Sequence, residues 1–125
     1  MRLRVLPLDL AVARLDPLGP IPAWAHLGPF FSVSRTGQEL SVVCARDKVP
    51  PAIQQEGPFR AFEVEGPLDF YLTGILSTLL TIFAEARISI FAISTFDTDY
   101  VLVKREDVEA AAAALRAAGH EILVQ

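Results

Sequence analysis

The chain is short of the residue types that most often carry chemistry. Its 125 residues include one cysteine and two histidines. Cys44 cannot close an internal disulfide, which favours a reducing compartment. No neighbouring base in the sequence would activate its thiol, so it reads as a small buried apolar residue. His26 and His120 lie far apart, and neither CxxC nor any metal-ligand spacing occurs. GxGxxG, GxxxxGK[ST] and GxSxG are all missing. These absences argue against an enzyme and against a resident metal or cofactor. Charge is scarce too, at 21% of residues with a net −4. The basic residues are scattered, the densest pairs being Arg46/Lys48 and Lys104/Arg105. Without a basic stripe, neither a nucleic-acid partner nor a polybasic membrane anchor is expected. Long apolar runs are also lacking. The most apolar window, residues 70–84, is broken by Thr73, Ser77, Thr78 and Thr81. It falls short of the roughly 20 residues of a membrane span. The opening MRLRVLPLDLAVARLDP imitates a signal peptide, but Pro7, Asp9 and its alternation make it a strand. A soluble, cytoplasmic protein is expected.

What is present is apolar. Hydrophobic residues make up 52% of the chain, slightly above the usual 45–50%. That excess excludes disorder and calls for buried helix faces, buried strands and a subunit interface. All nine prolines lie at or before Pro67. Strands, turns and short helical pieces are therefore expected before it, and regular helices after it. Sliding the chain by 60 residues places Val33-Ser34 on Ile93-Ser94, Glu39 on Asp99, Val42-Val43 on Leu102-Val103 and Asp47 on Asp107. Both stretches read as strand, polar turn, strand and an acidic start to the next element, an internal duplication.

The second half parses into six elements. Phe59–Val64 alternates as a strand. A helix is expected over Thr73–Ala86, its apolar arc of about 160° formed by Ile75, Leu76, Leu79, Leu80, Ile82, Phe83 and Ala86. Strands Ile88–Ile93 and Tyr100–Lys104 flank the polar segment Ser94-Thr95-Phe96-Asp97-Thr98-Asp99. A second helix, Glu106–Ala118, has an acidic first turn and a stripe of Val108, Ala111, Ala112 and Leu115, with Gly119 to cap it. Strand Glu121–Val124 closes the order βαββαβ, a ferredoxin-like plan. The first half repeats it imperfectly. Its first strand is Leu3–Leu6 or Leu10–Leu15, followed by a short helix near Pro22–His26 and strands Phe30–Ser34 and Leu40–Ala45. Its second helix is missing, since Gln54-Gln55-Glu56-Gly57 gives at most one turn. The expected fold class is α+β, with two ferredoxin-like modules in tandem: a degenerate one over residues 1–60 and a complete one over 61–125.

Two local features stand out. In Asp69–Ile75, strand gives way to helix, with Thr73 placed to cap, Gly74 allowing close approach, and free N–H groups beginning near Ile75. Such a helix start receives a carboxylate, or is simply a capped helix end. In Ser94–Asp99, Asp97 and Asp99 could hold an ammonium or guanidinium, or a hard cation. Alternatively, the segment is a hairpin whose side chains bond its own backbone. Calcium is excluded there by the low ligand count. If a βαββαβ unit brings the two features together, they match the two ends of an amino acid.

At these residues a family resemblance emerges. ISIFAISTFDTDYVLV (Ile88–Val103), preceded by GPLDFYLTGIL (Gly66–Leu76), resembles the ACT domains of small bacterial tandem-ACT proteins. Those are similar to the ACT modules of the CASTOR-type arginine sensors. PIPAW (Pro20–Trp24) and the SVSRT–ELSVVC stretch (Ser32–Cys44) resemble the degenerate first module of the same group. The resemblance implies small-molecule sensing, often of amino acids, at module interfaces. By position it assigns Ser89 and Ile90 to the ligand's main-chain groups, Gly74 to the closing loop, and Thr95, Phe96 and the acidic Asp99 to the opposite wall. Two positions depart from the pattern. Ser77 stands where the sensors carry an acid, which speaks against arginine as ligand, and Arg87 stands where these modules commonly have glycine. The implied function is a non-enzymatic regulatory module that binds an amino acid and forms a homodimer or higher homo-oligomer. The alternative is a homo-oligomeric interaction module with no small ligand.

Overall fold

Proline density governs where regular helices form, and the computed structural model shows how. The structure describes residues 1–66 and 74–124. Its strands are β1 (Arg2–Val5), β2 (Leu10–Leu15), β3 (Phe31–Arg35), β4 (Leu40–Ala45), β5 (Gln55–Val64), β6 (Ile90–Ser94), β7 (Asp99–Lys104) and β8 (Glu121–Val124). The helices are α1 (Ile75–Glu85) and α2 (Val108–Ala117), and 3-10 turns occupy Ala23–His26, Arg46–Lys48 and Arg105–Asp107. The chain forms two compact units. A split unit joins Met1–Pro7 to Arg60–Gln125, and an inserted unit spans Leu8–Phe59. Assigning residues 1–60 to one module therefore misplaces the first strand. Arg2–Val5 and Leu10–Leu15 are both strands, but they belong to different units.

In the split unit the strand order is β6-β7-β5-β1-β8. The expected βαββαβ sequence runs from β5 to β8, with β1 laid between its first and last strands. β1 is antiparallel to β5, with Leu3 opposite Val64, and parallel to β8, with Leu3 opposite Ile122. Inward residues of these strands meet both helices in one core. Leu3, Val5, Phe62, Val64, Val101, Val103 and Ile122 pack with Leu79 and Phe83 of α1 and with Ala111, Ala112 and Leu115 of α2. The alanines let α2 lie close to the sheet, as its sequence stripe suggests. Ser77, Thr78, Thr81 and Glu85 of α1 are exposed, opposite the buried arc; Ala86, expected inside that arc, is exposed as well.

The inserted unit has the strand order β3-β4-β2-β5, with Gln55–Phe59 of β5 as its last strand. Gln55-Glu56-Gly57 therefore lies in a strand rather than a turn, since Ala13 pairs with Gln55 and Val12 with Glu56. Pro17, Pro20, Pro22 and Pro29 fill the β2–β3 connection, and Pro50 and Pro51 the β4–β5 connection. Neither connection has a run in which a helix could keep its hydrogen bonds, so each holds only a 3-10 turn. Ala25, Trp24, Val49 and Ile53 cover Ala11, Ala13, Leu40, Val42 and Cys44 in place of helices.

The hairpins of the two units correspond at an offset of 59 residues, where the sequence comparison used 60. Thr36 corresponds to Thr95, Leu40 to Asp99, and the turn opening at Arg46 to the one opening at Arg105. Thr36 and Thr95 build the same turn. Each receives a backbone N–H on its Oγ1 and hydrogen-bonds, through backbone N–H and hydroxyl, to the carbonyl three residues on.

The two helices end alike on different residues. At the end of α2, the His120 N–H donates to Leu115 O at 3.0 Å and the Gly119 N–H to Arg116 O at 2.9 Å, with Gly119 at φ +91°. At the end of α1, the Ile88 N–H donates to Phe83 O at 2.9 Å and the Arg87 N–H to Ala84 O at 3.0 Å. Both are Schellman closures, which favour glycine at the left-handed position. Arg87 occupies it at φ +59°. We expect Arg87→Gly to stabilise the protein by about 1 kcal/mol and Gly119→Ala to destabilise it by about as much. Urea unfolding of the two variants checks both signs.

Candidate functional site

Of the residues selected from the sequence, Thr73 lies outside the described residues. Gly74 heads α1 at φ +85° and is exposed; a Cβ there would meet nothing within 4 Å. Its glycine serves the backbone conformation, not close packing against the described residues. The Gly74 carbonyl accepts the Thr78 N–H at 2.9 Å and the Thr78 hydroxyl at 2.7 Å, closing the first turn. Ile75 and Ile90 are partly buried and pack against the same core. Ser89 between them in the ligand scheme is exposed.

The Ser94–Asp99 segment largely satisfies itself. Ser94 Oγ donates to Asp99 Oδ1 at 2.7 Å, so this carboxylate is already engaged across the hairpin. Thr95 N and Oγ1 both bond Thr98 O, at 2.8 and 3.0 Å. Thr98 is buried and donates from Oγ1 to Val64 O at 2.6 Å, pinning the turn to β5. Phe96 is 80% exposed at the tip and Asp97 beside it is exposed. The structure thus brings Ser94, Thr95, Thr98 and Asp99 together through the hairpin's own bonds.

Two further side chains pair on the other face of the sheet, and neither stands out in the sequence. The Tyr100 hydroxyl donates to Glu63 Oε2 at 2.8 Å, and Glu63 also faces Arg4 Nη1 at 3.7 Å. Burial, the Glu63 hydrogen bond and charge, and the charge of Asp97 push the Tyr100 phenol up to about 12. The pair spans 37 residues of sequence, so no local pattern announces it. Elsewhere, burial raises the Cys44 thiol, with Asp47 adding to it. That suits an inert core cysteine rather than a nucleophile. Among the described residues no cluster of His, Cys, Asp and Glu could hold a metal ion, and no helix is long and apolar enough to cross a membrane.

A mixed sheet with two helices on one face, in the order βαββαβ, defines an α+β protein of the ferredoxin-like class. An ACT-domain family model matches residues 55–117, and the chain belongs to that family. A second family model, described as an N-terminal domain, matches residues 9–52. No match was found among curated proteins. Among solved structures, a protein from Agrobacterium tumefaciens is 38% identical, with a TM-score of 0.93 over 99% of this chain and 92% of its own. A Vibrio cholerae protein of unknown function, titled a possible transport protein, is 20% identical, with a TM-score of 0.77 over 93% and 88%. The regulatory subunit of aspartate kinase from Thermus flavus is 14% identical, with a TM-score of 0.64 over 93% and 95%; at that identity it shows the fold alone.

The Tyr100–Glu63 pair yields a pH prediction. The phenol's folded pKa is raised above its usual 10.0. Its contribution to stability is therefore complete below pH 10 and lost as pH rises toward 12. Ultraviolet titration in a Tyr71→Phe background should show Tyr100 ionising late, and Glu63→Gln should bring its pKa down. A wild-type phenol titrating at its ordinary value would contradict the contact.

Proposed function

We propose that this chain is a non-enzymatic regulatory module that binds a small ligand, an amino acid, on its split unit. The observation that carries the reading is the ACT-family match over residues 55–117. Two local features support it. The first turn of α1 opens at an exposed left-handed Gly74, where N–H groups without intrahelical partners can receive a carboxylate. Ser89, Phe96 and Asp97 are exposed, and with Ile75, Ile90, Thr95 and Asp99 they make the candidate ligand-contacting set, together with Thr73. Asp97 is the better partner for an ammonium, because Asp99 is engaged by Ser94. The regulatory subunit of aspartate kinase shares the fold, in keeping with a regulatory role, and the lone Cys44 suits a cytoplasmic, reducing compartment.

A second reading has its own observation. Among the described residues β6 is the end strand of the split unit's sheet, its sequence IFAIS carries no charge, and Phe91 is exposed on it. An apolar edge strand invites pairing with another chain. A homodimer or higher homo-oligomer built on this edge would need no small ligand. Thermal melts with each of the twenty amino acids at millimolar concentration separate the two. The regulatory reading expects one of them to raise Tm with concentration, and Asp97→Ala to remove that rise. No rise with any amino acid, with dimer mass lost on Phe91→Lys, favours the interaction module.

A further inference from the structure

The open edge of the split unit carries a charge pattern that one copy of the chain leaves unused. Residues 88–96, which include β6, hold no charged side chain. Arg87 stands just before them and Asp97 just after. Both are exposed, and neither forms an ion pair among the described residues. β7 repeats the polarity, with Asp99 at the turn and Lys104 at the far end. The hairpin strands are thus acidic at the tip and basic at the base. Arg87 also holds its left-handed position at φ +59°, where glycine would sit with less strain. No ion pair within its own copy offsets that strain among the described residues.

The backbone limits how a second strand can add to this edge. Thr95 N–H donates to Thr98 O at 2.8 Å, and the register sets Ile93 opposite Tyr100 and Phe91 opposite Leu102. Hydrogen-bonded and non-bonded pairs alternate along an antiparallel ladder. Phe91 and Ile93 therefore turn their N–H and C=O toward β7, while Ile90, Ala92 and Ser94 turn theirs to the open edge. An antiparallel copy of β6 must set these three residues against their counterparts. A two-fold axis at Ala92 does so, with Ala92 meeting itself and Ile90 meeting Ser94. The same axis sets Arg87 against Asp97, since each lies five residues from Ala92. It also lays the exposed Phe91 against Ile93, an apolar cross-strand pair. Moving the axis by one residue keeps the backbone match but takes the charges out of register. A parallel copy would set Arg87 beside Arg87.

We propose that β6 pairs antiparallel with β6 of a second copy about an axis at Ala92, with Arg87 of each copy paired to Asp97 of the other. This rests on the interaction reading above and fixes its partner and register. The cation at Asp97 is then the second copy's Arg87, in place of a ligand's ammonium.

Sedimentation equilibrium of the full chain should show a dimer. Arg87→Glu and Asp97→Arg should each weaken it about tenfold, since each reverses two exposed ion pairs. An equimolar mixture of the two variants should regain the wild-type affinity, because a mixed dimer again sets opposite charges at both ends. A misfolded variant could not give that recovery. Ala92→Cys should cross-link to its own copy on oxidation, as the axis leaves the two Cα atoms about 5.5 Å apart, and Ser94→Cys should not. Cys44 is buried and stays out of the reaction. A monomeric wild type would overturn the proposal and the interaction reading together. A dimer broken by Phe91→Lys but not recovered by mixing, or cross-linked through Ser94→Cys instead of Ala92→Cys, would overturn the register and leave the interaction reading standing.

Discussion

The split unit depends on one four-residue strand. β1 supplies the antiparallel partner of β5 and the parallel partner of β8. Leu3 and Val5 on it are core residues beneath both helices. Backbone bonds extend past the strand on either side: Glu65 N–H donates to Arg2 O, Leu6 N–H to Ala61 O and Glu121 N–H to Met1 O. Without β1, facing edges of β5 and β8 would lose their ladders, and unpaired backbone groups in a buried sheet are costly. The first residues of the chain therefore belong to the fold of its last half, and the ACT-type unit is not a continuous segment.

One hairpin plan then serves two environments. In each unit a threonine fastens the turn, a strand of apolar residues follows, and a 3-10 turn opens on arginine. The split unit continues into α2, whose alanines allow close packing. The inserted unit meets Pro50 and Pro51 instead and covers its sheet with Val49 and Ile53. The difference between a unit with regular helices and one without is thus written largely in proline placement.

Local signals were legible in the sequence. The apolar arc of α1, the alanine stripe of α2 and the cap at Gly119 depend on residues within a few positions of one another, and the structure has all three. The fold class followed from their order. What depended on distant partners was not legible. The placement of β1 rests on pairing with strands some 60 and 120 residues away. The Thr98–Val64 and Tyr100–Glu63 bonds join a turn and a strand to β5 across more than 30 residues. For the candidate ligand residues, the sequence marked the exposed Gly74, Ser89, Phe96 and Asp97. It could not show that Asp99 is already held by Ser94, because that requires the hairpin register.

The first strand is an integral part of the ACT-type unit. Native-state hydrogen exchange on Leu3→Ala tests it. Truncating this buried leucine costs about 2–5 kcal/mol. Amides of β8 and of residues 60–64 should then lose protection together with those of α1 and α2. Protection lost only within residues 8–59, with β8 and the helices unchanged, would contradict it.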